Sequence, residues 1–294
     1  MIQGQSLEAF SRQMEYSKIM SIMDKSSARN DTPDFPAKTA IHYDKFFGPF
    51  YFEPYAIEMA KRIVPAGVAV ALEIASGTGR VTRHIRAKLP ADAKLIASDI
   101  SEDMMAIAKE KLHGADITWQ HIDAEELSFD DESIDLVVCC FGLMFVADKH
   151  RALTEVYRVL KPGGQFLFTT WDKQENNKAS WFARSIAMEY LDKPLPESYG
   201  LPTSMHDEAL ITSLLRHAGF DNISIEKKQL LSVSETAKEA ASGLLKGGIY
   251  DDIGARNPSW IEEIRIRLEK ELAENFGDAP MAAPMSAVMG EVWK

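Results

Sequence analysis

Apolar residues recur along this chain in two alternating patterns, short continuous runs and helical spacing, and the alternation is regular from residue 68 onward. The run VAVALEIA (68–75) has the composition of a strand buried on both faces, and residues 79–89 then place their apolar positions at helical spacing. The pair repeats as KLIASDI (94–100) with a helix over 102–112. Strands ITWQHID (117–123) and IDLVVCCFG (134–142) follow, then a helix over 149–160 and the strand GQFLFTTWD (164–172). Short apolar runs alternating with helical periods predict right-handed crossovers in a doubly wound, mostly parallel, seven-stranded Rossmann-like α/β sheet.

The flanks read differently. Residues 1–40 are polar and broken by Pro33 and Pro36, with Leu7, Phe10, Met14, Ile19, Ile22 and Met23 spaced as an N-terminal helical arm. The segment IHYDKFFGPFYFEPYAIEMAKRIV (41–64) is rich in aromatic residues and ends as an amphipathic helix. It completes a core unit over 41–172. A Pro-containing cap insertion over 173–210 follows, with a helix at 179–191, and then a helix over 207–217 that stops at Gly219. Residues 211–294 close the core with the strand NISIEKKQLL (222–231), a helical cap insertion at about 235–280 and the terminal APMSAVMGEVWK. Little helix is obliged to cross the sheet between the last two strands, so the final strand is expected to run antiparallel.

Composition changes the picture in two ways. A formal net charge of -11 repels polyanions, so a small-molecule acceptor is expected, with no nucleic-acid partner. Nothing near Met1 resembles a signal peptide and no apolar run reaches the roughly 20 residues that span a bilayer, so the expectation is a cytoplasmic protein without membrane insertion. Cys139 and Cys140 are adjacent and point to opposite faces of a strand, which suits reduced core thiols and not a metal site.

The candidate chemistry begins at Leu72-Glu73-Ile74-Ala75-Ser76-Gly77-Thr78-Gly79-Arg80, where an apolar strand turns through glycines directly into a helix. A bound cofactor must approach such a loop closely, and a β-carbon at Gly77 or Gly79 would intrude. Asp99 ends the second strand, where a carboxylate can hold both hydroxyls of a ribose; an acid there also serves a helix N-terminus, a role open to Ser101 or Asp103. Asp123, followed by Ala124, is placed either to accept from an adenine amino group or to close a turn. Nicotinamide dinucleotide folds put glycines and an acid at the same places, so these residues alone leave two enzyme classes open.

Five segments in order, ALEIASGTGRVTRHI, LIASDISEDMMAIAKEKL, HIDAEELSF, IDLVVCCFGLMFVADK and ALTEVYRVLKPGGQFLF, resemble successive motifs of the class I S-adenosylmethionine-dependent methyltransferases. The match is similar to the branch that includes the ubiquinone and menaquinone biosynthesis methyltransferases and covers about residues 68–172, with RVLKPGG its most discriminating piece. The resemblance implies that Glu73, Ala75, Gly77 and Gly79 form the cofactor loop and that Asp99 holds the ribose. It also implies that Ile100 and Met104 lie beside the adenine, Asp123 and Ala124 flank its edge, and Cys140 and Phe141 lie by the methionine end. Members acting on exocyclic amines of nucleic acids or proteins often carry a polar Asn or Asp near the fourth-strand exit. Here the sequence is CCFGLMF, which points to an apolar acceptor pocket.

The methyl of S-adenosylmethionine is already activated, so alignment and exclusion of water are the chief needs and no metal is expected. A general base would assist a phenol, enol or amine acceptor, but no residue declares itself as one. His42 opens the aromatic segment that the resemblance places over the cofactor, with Tyr43 next to it; a lone histidine is more often a hydrogen-bonded packing or surface residue than a catalytic one. Trp171 sits at the sheet rim, as an acceptor-site wall or as edge packing. Leu244, Leu245, Ile249, Tyr250 and Trp260 in the second cap present an apolar face to substrate, to neighbouring helices or to a second copy in a homodimer. Two rivals stand beside methyl transfer, an NAD-type oxidoreductase and a non-catalytic cofactor-binding protein. Against the first, Thr82 replaces the glycine or alanine of the dinucleotide fingerprint; against the second, the loop glycines and the ribose acid are all retained. The expected function is transfer of a methyl group to a small aromatic or quinone-like metabolite.

Overall fold

The computed structural model describes residues 37–192 and 194–294, so the helical arm expected over 1–40 lies outside the described residues apart from its last four positions. Helix α1 (Ala37–His42) runs into a π-helical stretch (Tyr43–Phe52) and on into α2 (Glu53–Arg62). Pro49 lies inside the π-helical stretch, where the wider turn tolerates a residue without an N–H, and the Glu53 amide donates back to the Gly48 carbonyl.

Strands β1 (Val70–Ile74), β2 (Lys94–Asp99), β3 (Thr118–His121), β4 (Ile134–Cys140) and β5 (Leu160–Trp171) are mutually parallel where they pair. They are joined by α3 (Thr82–Lys88), α4 (Glu102–Lys111) and α5 (Lys149–Val159). Helix α7 (Glu208–Ala218) leads to β6 (Asn222–Ser234), and β7 (Met281–Trp293) inserts antiparallel between β5 and β6. The sheet is seven-stranded and mostly parallel with an antiparallel last strand, as the apolar pattern predicted, and its strand order is β3-β2-β1-β4-β5-β7-β6. The switch in strand order falls between β1 and β4. That places the ligand crevice of an open α/β sheet at the C-terminal ends of these two strands.

Burial explains the strand composition. Leu72, Leu136, Val137, Phe166 and Phe168 are fully withdrawn from water, each contributing about 1.5–3 kcal/mol, whereas the edge strand β6 alternates half-buried and exposed positions. Several boundaries differ from the sequence expectation, three of them for a clear local reason. The helix expected from residue 79 begins at Thr82, because Gly77 and Gly79 hold left-handed backbone that cannot start a helix. Strand β5 begins at Leu160 and not at 164, passing through Lys-Pro-Gly-Gly by a register shift between Ile134 and Leu136. The insertion after β6 is three helices, α8 (Ala237–Leu244), α9 (Ile249–Arg256) and α10 (Pro258–Phe276), interrupted by Gly247-Gly248 and by the Asn257 cap.

Helix α10 packs on α8, α9, β7 and on α6 (Lys178–Met188), so the two insertions form one helical layer. Leu244, Leu245 and Ile249 are buried in this packing, and Trp260 lies 5.8 Å from the Tyr190 ring. The root of the layer is pinned by Asp172, 1% exposed, which accepts from Lys227 Nζ at 2.8 Å, Asn176 Nδ2 at 2.7 Å and Ser286 Oγ at 2.9 Å. Among the described residues no helix is long and apolar enough to cross a membrane.

Candidate active site

Both strands that border the switch point end in strained backbone: Ala75 leaves β1 with φ 55° and Phe141 leaves β4 with φ 57°. Left-handed backbone at a non-glycine residue costs energy and persists where the surroundings enforce it, commonly at a ligand site. After Ala75, the Ser76 amide donates to the Ser98 carbonyl at 2.9 Å and the Gly77 amide donates to Asp99 Oδ2 at 2.7 Å. Gly77 has φ +54°, and a Cβ built on it meets nothing within 4 Å, so its face opens onto the crevice. Gly79 differs from the expectation that it faces a cofactor. Its Cβ would lie 3.0 Å from Ala108 Cβ and from Leu112 Cδ1, so the glycine there serves close packing of α4 on the loop.

Asp99 is 8% exposed, and its second oxygen, Oδ1, accepts from the Ser101 amide at 2.8 Å. Burial raises its carboxyl above the ordinary value, against the opposing pull of the Ser101 and Gly77 amides. The helix-cap role belongs to Ser101, whose Oγ accepts from the Met104 amide at 3.3 Å, which leaves Asp99 on the crevice side. Ile100 is 47% exposed beside it, Met104 is buried, and His121 Nε2 lies 2.9 Å from the Ile100 carbonyl. Asp123 is exposed and accepts from the Glu125 amide at 2.9 Å, the turn geometry that its position also allowed; Ala124 packs half-buried on the core. Glu73, 1% exposed, is pushed by burial up to about 8, so it is largely neutral at pH 7. Its Oε2 has no hydrogen-bond partner among the described residues.

The β4 exit builds the second half of the site. Cys140 is half-buried, its thiol pushed up by burial, and the Phe141 amide donates to the Thr169 carbonyl at 2.9 Å. The Phe141 ring stacks on Trp171 at 4.1 Å and meets Phe52 at 5.3 Å and Tyr55 at 5.4 Å. Tyr51 closes on Trp171 at 5.7 Å, and Tyr43 stacks on Phe52 at 4.8 Å. Burial raises the Tyr43 phenol above its ordinary value, and the charges of Asp99, Arg80 and Cys140 also act on it, so Tyr43 lies between the β2 and β4 exits.

Ionic contacts hold this aromatic segment over the glycine loop. Asp44 Oδ1 accepts from Thr78 Oγ1 at 2.7 Å and from Lys111, and the Asp44 carbonyl accepts from Arg80 Nη2 at 2.9 Å. Glu53 pairs with Arg80 at 3.2 Å, with His84 at 2.9 Å and with Arg83. Sequence reasoning marked the segment but not Asp44, Glu53 or Arg80, whose partners are fixed only by folding. His42 sits at the outer edge: its Nε2 donates to the Gly243 carbonyl at 3.0 Å and its ring meets Phe46 and Phe47, tying α1 to α8.

The sheet thus brings a glycine turn and a carboxylate to its switch point, beside a cluster of aromatic rings. Comparison with known proteins agrees. The Methyltransferase domain family matches residues 72–168. The ubiquinone/menaquinone biosynthesis C-methyltransferase UbiE of Pseudoalteromonas translucida is 30% identical over 223 residues, covering 69% of this chain and 89% of that protein. The demethylmenaquinone methyltransferase of Clavibacter sepedonicus is 29% identical over 194 residues, covering 60% of this chain and 74% of that protein. In fold, the chain is similar to the Haemonchus contortus phosphoethanolamine N-methyltransferase 2 in complex with S-adenosyl-L-methionine (TM-score 0.58, 17% identity), covering 90% of this chain and 58% of that one. The fold and crevice are those of a class I S-adenosylmethionine-dependent methyltransferase, and the chain is an enzyme of that class. Within it, the chain belongs to the ubiquinone/menaquinone biosynthesis C-methyltransferase family.

Proposed function

We propose that the enzyme methylates a small, largely apolar aromatic or quinone-like acceptor bound between the aromatic segment 43–55 and the rings of Phe141 and Trp171. The observation that carries this is the stacked Phe141–Trp171 pair, which gives the crevice a flat apolar wall beside Asp99 and the glycine loop. Planar acceptors gain from such stacking, at about 0.5–1.5 kcal/mol per ring pair beyond area burial. The names of the curated relatives point to the same chemistry.

The residues fit the cofactor. Gly77 leaves open space at the loop, Asp99 offers its remaining lone pairs to ribose hydroxyls, and exposed Ile100, with Met104 behind it, can cover an adenine face. Glu73 and Ala75 shape the loop from below, Asp123 and Ala124 border the adenine edge, and Cys140 and Phe141 border the methionine end. S-adenosylmethionine, when bound, supplies an electrophilic methyl group. The chain's own residues then align the acceptor and exclude water, with Tyr43 and the Asp44 contacts holding the cover in place. His42 stays in the acceptor region as a support of that cover, and the two caps, 173–210 and 235–280, choose the acceptor.

The net charge of -11 disfavours nucleic-acid acceptors, and a cytoplasmic enzyme, alone or as a homodimer, accords with the composition. Calorimetric titration with S-adenosylhomocysteine and with NADH tests the cofactor site: binding of the first alone is expected, and binding of NADH alone overturns the proposal. Turnover with methyl-labelled S-adenosylmethionine and a reduced 1,4-naphthoquinone then tests the acceptor class, with label on a ring carbon as the expected product.

A further inference from the structure

The aromatic segment is attached on two sides. Toward the glycine loop, Asp44 Oδ1 accepts from Thr78 Oγ1 at 2.7 Å and from Lys111, and Arg80 Nη2 reaches the Asp44 carbonyl at 2.9 Å and Oδ1 at 3.4 Å. Thr78 and Arg80 flank Gly79, so these contacts hold the loop itself. A Cβ built on Gly48 would lie 2.7 Å from Arg80 Cζ, so glycine lets the segment come this close while Asp44 and Glu53 hold the guanidinium. Toward the cap, His42 Nε2 donates to the Gly243 carbonyl at 3.0 Å, and a Cβ on Gly243 would overlap the Phe46 ring. Gly243 lies on α8, which packs on α6 and α10. Between the two attachments Tyr43 stacks on Phe52 at 4.8 Å and Phe52 meets Phe141 at 5.3 Å. The segment therefore crosses from the β1 exit to the β4 exit, over the switch point.

The attachments differ in kind. The cap side is a close apolar fit with one neutral hydrogen bond. The loop side is charged and reached by water, with the Asp44 and Arg80 side chains 16% and 17% exposed, so its contacts part without stranding a dry charge. Beyond Glu53 the chain is anchored, because the Tyr55 hydroxyl donates to the Lys228 carbonyl at 2.9 Å. The part able to yield is the Asp44 contact, with the π-helical turns between Asp44 and Glu53 as the joint.

We propose that segment 41–53 is a strap shared by the cofactor and acceptor sides of the crevice. Release of Asp44 from Thr78, Arg80 and Lys111 is the step that admits and discharges the cofactor. Because Gly243 ties the strap to α8, the same movement loosens the cap. Asp44 and Arg80 are then positioning residues that act on exchange and not on methyl transfer. The inference rests on the cofactor lying at Gly77 and Asp99.

The test measures association and dissociation of tritiated S-adenosylhomocysteine with the full chain, by rapid mixing and by chase with unlabelled compound, beside amide hydrogen exchange. A gate slows passage in both directions, so Asp44→Ala is expected to raise both rate constants about tenfold while Kd changes little. Asp44→Asn, which keeps the shape and loses the charge, is expected to lie between. In the unaltered protein, raising salt from about 0.05 M to about 0.5 M is expected to speed both rates, and in Asp44→Ala to leave them nearly unchanged. Amide exchange in Asp44→Ala is expected to quicken over 237–244 together with 43–52. Unchanged rates in Asp44→Ala overturn the proposal. So does faster dissociation without faster association, which makes Asp44 an ordinary cofactor contact. Quicker exchange over 43–52 alone overturns the tie to the cap. Full S-adenosylhomocysteine affinity in Asp99→Asn places the cofactor elsewhere and overturns the site and the strap together.

Discussion

At the residue scale, Asp99 carries two duties: it orders the loop through the Gly77 amide and presents a carboxylate to the crevice. Asp99→Asn places an NH2 group against an amide donor and halves the acceptor capacity, so S-adenosylhomocysteine affinity should fall about tenfold to a hundredfold by calorimetry. Unchanged affinity would remove Asp99 from the site. Glu73 gives a pH signature with a definite sign. Its carboxyl is near 8 folded against about 4.5 unfolded, so the native state holds the extra proton between those values and stability falls as pH rises through that window. The slope for one proton is about 1.4 kcal/mol per pH unit. Glu73→Gln should therefore gain stability relative to the parent from pH 5 to pH 8 in denaturant melts, and a constant difference would contradict the burial argument. Trp171→Ala should raise the acceptor KM about tenfold with cofactor affinity nearly unchanged, because the ring packs on Phe141 and on Tyr51 of the aromatic segment.

At the scale of the element, the π-helical stretch depends on contacts with distant parts of the chain. It stays over the crevice because Asp44 and Glu53 reach Thr78, Arg80, Lys111 and His84 across the chain. Hydrogen bonds from Lys111 and Thr78 hold the Asp44 carboxyl below its ordinary value although burial pushes the other way, which marks these contacts as net stabilising for the charged form. Asp44→Ala should speed amide hydrogen exchange over residues 43–52 by about tenfold while α3 and α4 keep their protection. Equal exchange in both forms would mean that aromatic packing alone fixes the segment.

At the scale of the whole molecule, β7 joins the parallel half of the sheet to β6 and carries the floor of the cap. Gly290 lets it do so: a Cβ there would lie 2.1 Å from the Phe168 ring at the centre of the core. Gly290→Ala should lower stability by about 1–3 kcal/mol in a single cooperative transition, leaving S-adenosylhomocysteine affinity of the folded fraction unchanged. A separate low-temperature transition would show that the β6–β7 pair folds as its own unit.

The sheet and the glycine turn at its switch point were legible in the sequence because both follow from local patterns. A buried parallel strand must be apolar throughout, and Ala75-Ser76-Gly77 with Asp99 must sit where strands end, so period and punctuation determined the fold class and the loop, while the strand order came from the tertiary structure. Tertiary structure alone decided what faces what. Gly79 turned out to pack against α4, His42 to bond the Gly243 carbonyl, and Asp44 to reach Lys111, partners far apart in the chain with no periodic signal to announce them.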